Sequence, residues 1–386
     1  MPFVPPGQPA ALSTVVSDAF VSAYGGPPAV VARAPGRVNL IGEHTDYNAG
    51  LVLPVALPHA TYAAVSPRSD DTVRIGSLEQ PEPWTGTLAT LADAEGWGAY
   101  AAGVLWALRE AGVALPGADV LVSGTVPLGA GLSSSAALEC SVAVAACAAS
   151  EVELDRSLVV AACIRAEAEV AGAPTGGMDQ TVSMLAEVGS ALLIDFDLHT
   201  SEPVALPLDV AGLALLVTDT RVSHALVDGG YAERRADCEE AARALGVPSL
   251  RHATLEAVEA LADDRVRRRA RHVVTEIDRV RAVVAALEAR DWTAVGARLA
   301  ESHVSMRDDF EISCPELDLA VDTAVEAGAV GARMTGGGFG GSSLALVPAA
   351  RLDAVVRAID TAFAAAGFAA PQHLLAEPAG RAGLVD

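Results

Sequence analysis

The sequence predicts a two-lobe α+β enzyme, and three observations carry that prediction. At 386 residues the chain exceeds what one hydrophobic core normally holds, so two packed lobes are expected. Apolar residues make up 51% of it and charged residues 19%, which supplies a large core and excludes disorder. Strand-like runs and hairpins mix irregularly with helical periodicity, which suits α+β better than a regular βαβ array.

The elements follow in order. The first ten residues hold four prolines and form a lead-in. A helix over 12–24 stops at Gly25-Gly26-Pro27-Pro28. Strands are expected over 29–34 and 51–55. A hairpin is expected over 61–65 and 72–75, turning through Ser66-Pro67-Arg68-Ser69-Asp70-Asp71. Helical spacing over 97–110 closes at Gly112, and a strand follows over 118–125. Helices over 134–149 and 155–171 lead through a Gly-rich turn to a strand over 190–196. The polar stretch 197–209, with two prolines, marks the lobe boundary, giving an N-terminal lobe over 1–200 and a C-terminal lobe over 201–386. The second lobe begins with a strand over 213–219 and amphipathic helices between 227 and 305. It ends with a helix over 317–327, strands over 331–334 and 343–347, a helix over 352–365 and a final strand.

Charge and composition remove whole classes of function. With 26 basic and 49 acidic residues the net charge is −23, so neither a nucleic-acid partner nor a membrane is expected. The one dense basic run, Arg265-Val266-Arg267-Arg268-Arg269-Ala270-Arg271, is flanked by acids and reads as a solvated helix face. Every basic residue is arginine. A Walker-A loop and a protein-kinase core both place a lysine on the nucleotide phosphates, and Schiff-base and pyridoxal chemistry need a lysine amine, so all four are excluded. Cys140, Cys147, Cys163, Cys238 and Cys314 form no metal-spaced pair and read as buried thiols in a reducing compartment. No basic residue precedes Arg33, and no apolar stretch reaches about 18 residues uninterrupted. A soluble cytoplasmic protein is expected.

Three glycine-bearing segments carry chemistry. In Arg33-Ala34-Pro35-Gly36-Arg37-Val38-Asn39-Leu40-Ile41-Gly42-Glu43-His44-Thr45-Asp46-Tyr47-Asn48 two arginines, two carboxylates and a histidine crowd an apolar stretch. Such carboxylates accept hydrogen bonds from sugar hydroxyls; a metal on His44 and Asp46 is the rival reading. In Pro127-Leu128-Gly129-Ala130-Gly131-Leu132-Ser133-Ser134-Ser135 the glycines let backbone approach a ligand, and serines cap the following helix, making an anion cradle without lysine or else an ordinary N-cap. In Met334-Thr335-Gly336-Gly337-Gly338-Phe339-Gly340-Gly341 five glycines in six positions read as backbone lying against a ligand or another loop, a flexible linker being the alternative. Between them, Asp179 in Gly176-Gly177-Met178-Asp179-Gln180 is either a helix cap or an acid that deprotonates a nucleophile.

Together these segments resemble the galactokinase branch of the galactose, homoserine, mevalonate and phosphomevalonate kinases, from Arg33 to Ser342. The resemblance implies an N-terminal lobe like domain 2 of ribosomal protein S5, a ferredoxin-like C-terminal lobe and a site between them. It implies phosphoryl transfer from ATP, with Mg²⁺, to the C1 hydroxyl of galactose. Asp179 and Arg37 match the catalytic pair, and Glu43, His44, Thr45, Asp46, Gly176 and Tyr231 the sugar ligands. Gly129, Ala130, Gly131, Leu132, Ser133, Ser134 and Ser135 match the nucleotide loop, Ser77 and Trp97 the nucleoside side, and Ser135 with Glu167 the Mg²⁺ ligands. Ala168, Val170, Gly177 and Ser342 depart from the family pattern. A kinase for N-acetylgalactosamine, galacturonate or arabinose, or a silent galactose sensor, is the alternative. A monomer is expected, with a weak homodimer as the other possibility.

Overall fold

The computed structural model describes residues 3–173, 175–222 and 227–385, and three sheets organise it. The largest has six strands in the spatial order Gly383–Leu384, Val30–Asn39, Pro54–Pro67, Ala118–Gly124, Thr72–Ser77 and Trp84–Thr87. Only Thr72–Ser77 and Ala118–Gly124 run parallel. The expected hairpin over 61–75 is therefore corrected. Ala118–Gly124 inserts between its two arms, and Val120 pairs with Val65 on one side and Ile75 on the other. Val120, Leu121 and Val122 are all buried, so both faces of that strand need cover and it must be central.

Helices close both faces. Gly98–Glu110, Ser134–Ala149 and Arg156–Arg165 bury Leu105, Leu108, Val144 and Val159 against one. Pro9–Tyr24, with proline in its first turn and left-handed Gly25 at its end, packs Val16 and Phe20 against the other. The helix expected over 155–171 becomes α-helix at Arg156–Arg165 and a π-helical turn at Ala166–Val170, which displaces Glu167 from the α-helical register.

A four-stranded antiparallel sheet, ordered Gly331–Thr335, Ser342–Pro348, Leu213–Asp219, Gln372–Leu375, carries Pro315–Glu326 and Leu352–Ala366 against Leu216 and Val347. On its other side Asp264–Glu288 and Trp292–Asp308 share a core with Leu40, Ile41 and Leu53 beside the first sheet. The third sheet joins Leu51–Val52, Ser190–Asp195 and Thr200–Ala205. The polar 197–209 stretch is thus a strand rather than a linker: 200–205 pairs residue by residue with 190–195. An edge strand needs only one inward apolar side chain, here Val204, so its polarity concealed it.

The arginine run is also corrected. Arg269 is 3% exposed and donates to the Asp309 carbonyl and to Glu311. Arg265, Arg267, Arg268 and Arg271 pair with Glu240, Asp264, Glu311 and Glu259. The run is a neutralised belt on one helix. Among the described residues no helix is long and apolar enough to cross a membrane.

Candidate active site

The charged segment begins where the Val30–Asn39 strand ends. Gly42 turns there with φ 105°, and a Cβ would sit 2.5 Å from the Leu51 carbonyl, so only glycine fits. Glu43, buried, accepts from Asn39 Nδ2 at 2.9 Å, Thr335 Oγ1 at 3.0 Å, Gly336 N at 3.0 Å and Arg333 Nη2. These donors reach both oxygens and hold the carboxylate rigid at the cleft wall. Burial raises its pKa, against Arg333 and the Gly336 N–H.

His44, in left-handed backbone at φ 61°, places Nε2 3.2 Å from the Gly337 carbonyl and Nδ1 2.7 Å from the Tyr47 hydroxyl. Burial drives its pKa down to about 3. The neutral ring therefore donates from Nε2 to the carbonyl and accepts from Tyr47 at Nδ1. With both nitrogens committed, the metal reading of His44 and Asp46 fails; no group of three acidic, histidine or cysteine side chains among the described residues could hold an ion. Thr45 is a correction of another kind. Its hydroxyl is buried within reach of the Gly42 and Leu51 carbonyls and braces the turn instead of facing the cleft. Asp46 does face it. A Cβ at Gly176 would lie 2.0 Å from Asp46 Oδ2, so any side chain there would displace the Asp46 carboxylate. Tyr231 stacks 5.2 Å from His44 and 5.6 Å from Tyr47. Arg37, Glu43, His44, Asp46, Asp179 and Tyr231 line one cavity of about 190 Å³, the liquid volume of about six waters.

Burial pushes the Asp46 carboxyl up to about 6, with the Asp179 charge adding to it and the Tyr47 N–H opposing. Asp46 therefore takes up a proton as pH falls through about 6 and ceases to be an anionic acceptor. If Asp46 accepts from a substrate hydroxyl, the substrate KM should rise steadily from pH 7 to pH 5 in steady-state assays, roughly tenfold, while Asp46→Asn gives a raised and flat profile. A flat wild-type profile would remove Asp46 from the contact.

The serine loop is built to leave its N–H groups free. Ser342 Oγ donates to the Ala130 carbonyl at 2.7 Å, Arg37 Nη1 to that of Gly131 at 2.7 Å, and Arg37 N to that of Leu132 at 3.0 Å. Because each peptide is trans, tying three successive carbonyls aims the N–H groups of Gly131, Leu132 and Ser133 the opposite way. None of those N–H groups has a protein acceptor among the described residues. The side chains of Ala130 and Leu132 are buried, so they serve through backbone. The expected serine cap is corrected: Ser133, at φ 61°, makes no side-chain cap to helix Ser134–Ala149. Its hydroxyl bonds Asp179 instead, and that of Ser135 lies 2.9 Å from Glu167. An uncapped helix start beside free N–H groups is an anion site.

Asp179 opens the helix Met178–Leu185 behind left-handed Gly177 at φ 97°, which explains glycine at that departure. Its two oxygens each lie 2.8 Å from Arg37, at Nε and Nη2. Buried Glu167 also accepts from Gln180, and burial with the Asp179 charge raises its pKa to about 7. Ser77 and Trp97 share a second cavity, about 200 Å³, with Tyr100, Leu138, Ser134 and Ser135. A groove of about 700 Å³ along Phe3, Val356 and His373 holds none of the motif residues. The glycine-rich third segment lies against both loops through Gly336, Gly337 and Ser342, so it is a backbone brace. Of the other departures, Val170 packs on Gly103; nothing in the structure explains Ala168.

Sequence reasoning missed Glu79 and Tyr100 in the second cavity, and Arg333, Glu276 and His272 behind the first. Only adjacency to named motifs could have found them: Glu79 lies two residues past Ser77, and Arg333 just before the glycine run.

Residues 18–67 match the galactokinase galactose-binding signature, 99–187 the N-terminal domain of the GHMP kinases and 283–365 their C-terminal domain. A galactokinase of Streptomyces coelicolor is 52% identical over 376 residues, 95% of this chain and 97% of its own. That of Bos taurus is 43% identical over 355 residues, 88% and 89% of the two chains. The crystal structure of Lactococcus lactis galactokinase complexed with galactose superposes with a TM-score of 0.92 at 29% identity, covering 97% of this chain and all 100% of the other. Methanococcus jannaschii mevalonate kinase, TM-score 0.67 at 14% identity over 91% and 98%, shares the fold. The expected two-domain architecture is therefore that of the GHMP kinases. With identity and coverage this high along the whole chain, it belongs to the galactokinase family.

Proposed function

We propose that the chain transfers the γ-phosphoryl group of ATP to the C1 hydroxyl of galactose, giving galactose 1-phosphate and ADP. The observation that carries this reading is the Arg37–Asp179–Ser133 bridge between a hydroxyl-binding cavity and an uncapped anion site. Asp179, fixed by both Arg37 nitrogens, orients the C1 hydroxyl and accepts its proton. Arg37 keeps positive charge beside the attacking oxygen, and the Gly131–Ser133 N–H groups bear the phosphate charge. Glu43, His44, Asp46 and Tyr231 form the wall against which the remaining hydroxyls lie, with the nucleoside along Ser77 and Trp97.

Ser135 and Glu167 fit Mg²⁺. Hydroxyl and carboxylate are hard oxygen donors, and the cost of charging Glu167 beside Asp179 falls when a dication arrives. When bound, the ion would neutralise charge on the triphosphate. Glu43 favours a neutral CH₂OH over the carboxylate of galacturonate, since two carboxylates would face each other there. The chain carries both Asp179 and Ser135, which a silent sensor would not need. We place the lobe boundary just past Ala205, a few residues beyond the expected position, because 200–205 pairs with 190–195; 383–384 return to the first lobe's sheet. We place the protein in the cytoplasm as a monomer; Cys140 and Cys163 remain free thiols with sulfurs 3.9 Å apart, which fits a reducing compartment. The test is ADP release across a sugar panel at saturating Mg²⁺: galactose should be the fastest acceptor, and faster galacturonate turnover would overturn the choice.

A further inference from the structure

We propose that Glu139 and Gln180 form a buried acid–amide pair that positions Glu167 in the phosphoryl-transfer site; this rests on reading Glu167 and Ser135 as metal ligands. Glu139 sits one helical turn beyond Ser135, on the same side of helix Ser134–Ala149. Glu139 and Gln180 are both 0% exposed. Gln180 Nε2 lies 2.5 Å from Glu167 Oε2 and 3.3 Å from Glu139 Oε2, so both amide hydrogens go to carboxyl groups. Each member of the pair also carries an orphaned atom: Glu139 Oε1 and Gln180 Oε1 have no partner among the described residues.

The two orphans are complementary. A proton on Glu139 Oε1 would let it donate to the amide oxygen while the amide N–H donates back to Oε2, a two-point pair that satisfies both. An ionised Glu139 has no such solution. The charged groups acting on it are Glu167 and Asp179, both acidic, and a buried charge without a cation is costly. Burial, with those two charges, pushes the Glu139 carboxyl well above its ordinary range.

The pair anchors the amide from behind while its other N–H meets Glu167. An apolar side chain at 139 would leave the second amide N–H without its acceptor, so Gln180 would lose its anchor and Glu167 part of its support. Glu139 is thus a positioning residue that acts through Gln180.

The experiment compares Glu139→Leu and Glu139→Gln in the full chain, reading Mn²⁺ affinity by EPR in the presence of a non-hydrolysable ATP analogue. The Mg²⁺ concentration for half-maximal turnover, galactose affinity and thermal denaturation are read alongside. Glu139→Leu should weaken Mn²⁺ and raise the Mg²⁺ requirement about tenfold, the size of one charge-assisted hydrogen bond, with galactose affinity unchanged. Glu139→Gln, neutral and of the same shape, should stay within about threefold, because amide and amide can pair as acid and amide do. Wild-type Mn²⁺ affinity in folded Glu139→Leu would overturn the proposal, and so would a Glu139→Gln variant as weak as the leucine. If Glu139→Leu does not fold, Gln180→Met takes its place with the same expected and overturning results. Unchanged Mn²⁺ affinity in Glu167→Gln would instead remove the metal reading, and this pair's role with it.

Discussion

Asp179→Asn should lower kcat by about 10³-fold while galactose affinity changes less than about threefold, the signature of a lost proton acceptor in an intact pocket. Asparagine is the informative replacement because it keeps the shape of a group with three protein donors: Arg37 Nε, Arg37 Nη2 and the Ser133 hydroxyl. The amide oxygen still accepts from one Arg37 nitrogen, and Arg37 Nη1 keeps its bond to the Gly131 carbonyl, so the cradle's N–H groups keep their aim. Alanine would confound the result. Arg37 is 6% exposed, and alanine would leave its buried Nε and Nη2 without the acceptor oxygen that asparagine still supplies. A coupled ADP assay with calorimetric titration of galactose reads both quantities. If Asp179→Asn retained more than about a tenth of wild-type turnover, Asp179 would be a brace for Arg37 and not a participant in the chemistry.

The same pair shows how far the sequence could be read. Asp179 and Arg37 are 142 residues apart, and only family resemblance placed them together, because no periodicity links a strand end to a distant helix start. Local signals did well where one element explains itself: 134–149 and 213–219 match residue for residue, bounded by a serine run and by an apolar run between Gly212 and Asp219. They failed where partners decide. Two neighbouring strand-like runs suggested a hairpin, yet the doubly buried Val120 strand claims the position between them. A polar edge strand at 200–205 was invisible because one inward valine leaves no alternation. Ser133 looked like a helix cap because serine before a helix usually is one; an acid supplied by another helix outcompetes the backbone N–H. The signature's hydroxyl ligands were legible as a charged island, but Thr45 was not separable from them, since its role depends on two carbonyls that fold back over it. The support behind the island was hidden for the same reason: Arg333 and Glu276 lie more than 200 residues beyond Glu43.

That support is where stability and sugar binding meet, and Arg333→Met should cost about 3–5 kcal/mol in urea denaturation and raise the galactose KM at least tenfold. Arg333 is 0% exposed and serves two acids at once, Glu43 directly and Glu276 at 3.5 Å, while Nη1 donates to the Asn39 and Leu40 carbonyls. The two acids are not equally dependent on it. Glu276 keeps Arg279 at 2.7 Å, the Ser302 hydroxyl at 2.7 Å and the Gly42 N–H; against burial, Arg279 ahead of Arg333 holds its pKa down at about 2, so its largest cationic partner remains. Glu43 keeps only neutral donors, and burial already raises its pKa. Without the guanidinium, Glu43 is the group that takes a proton, and a protonated Glu43 donates where the cleft needs an acceptor. The double variant Arg333→Met, Glu43→Gln separates the two effects. Removing the stranded charge should restore about 2 kcal/mol of stability but none of the sugar affinity. A single-variant loss below about 1 kcal/mol would mean that the neutral donors alone carry Glu43, and the link from the second sheet to the sugar pocket would then be packing without charge.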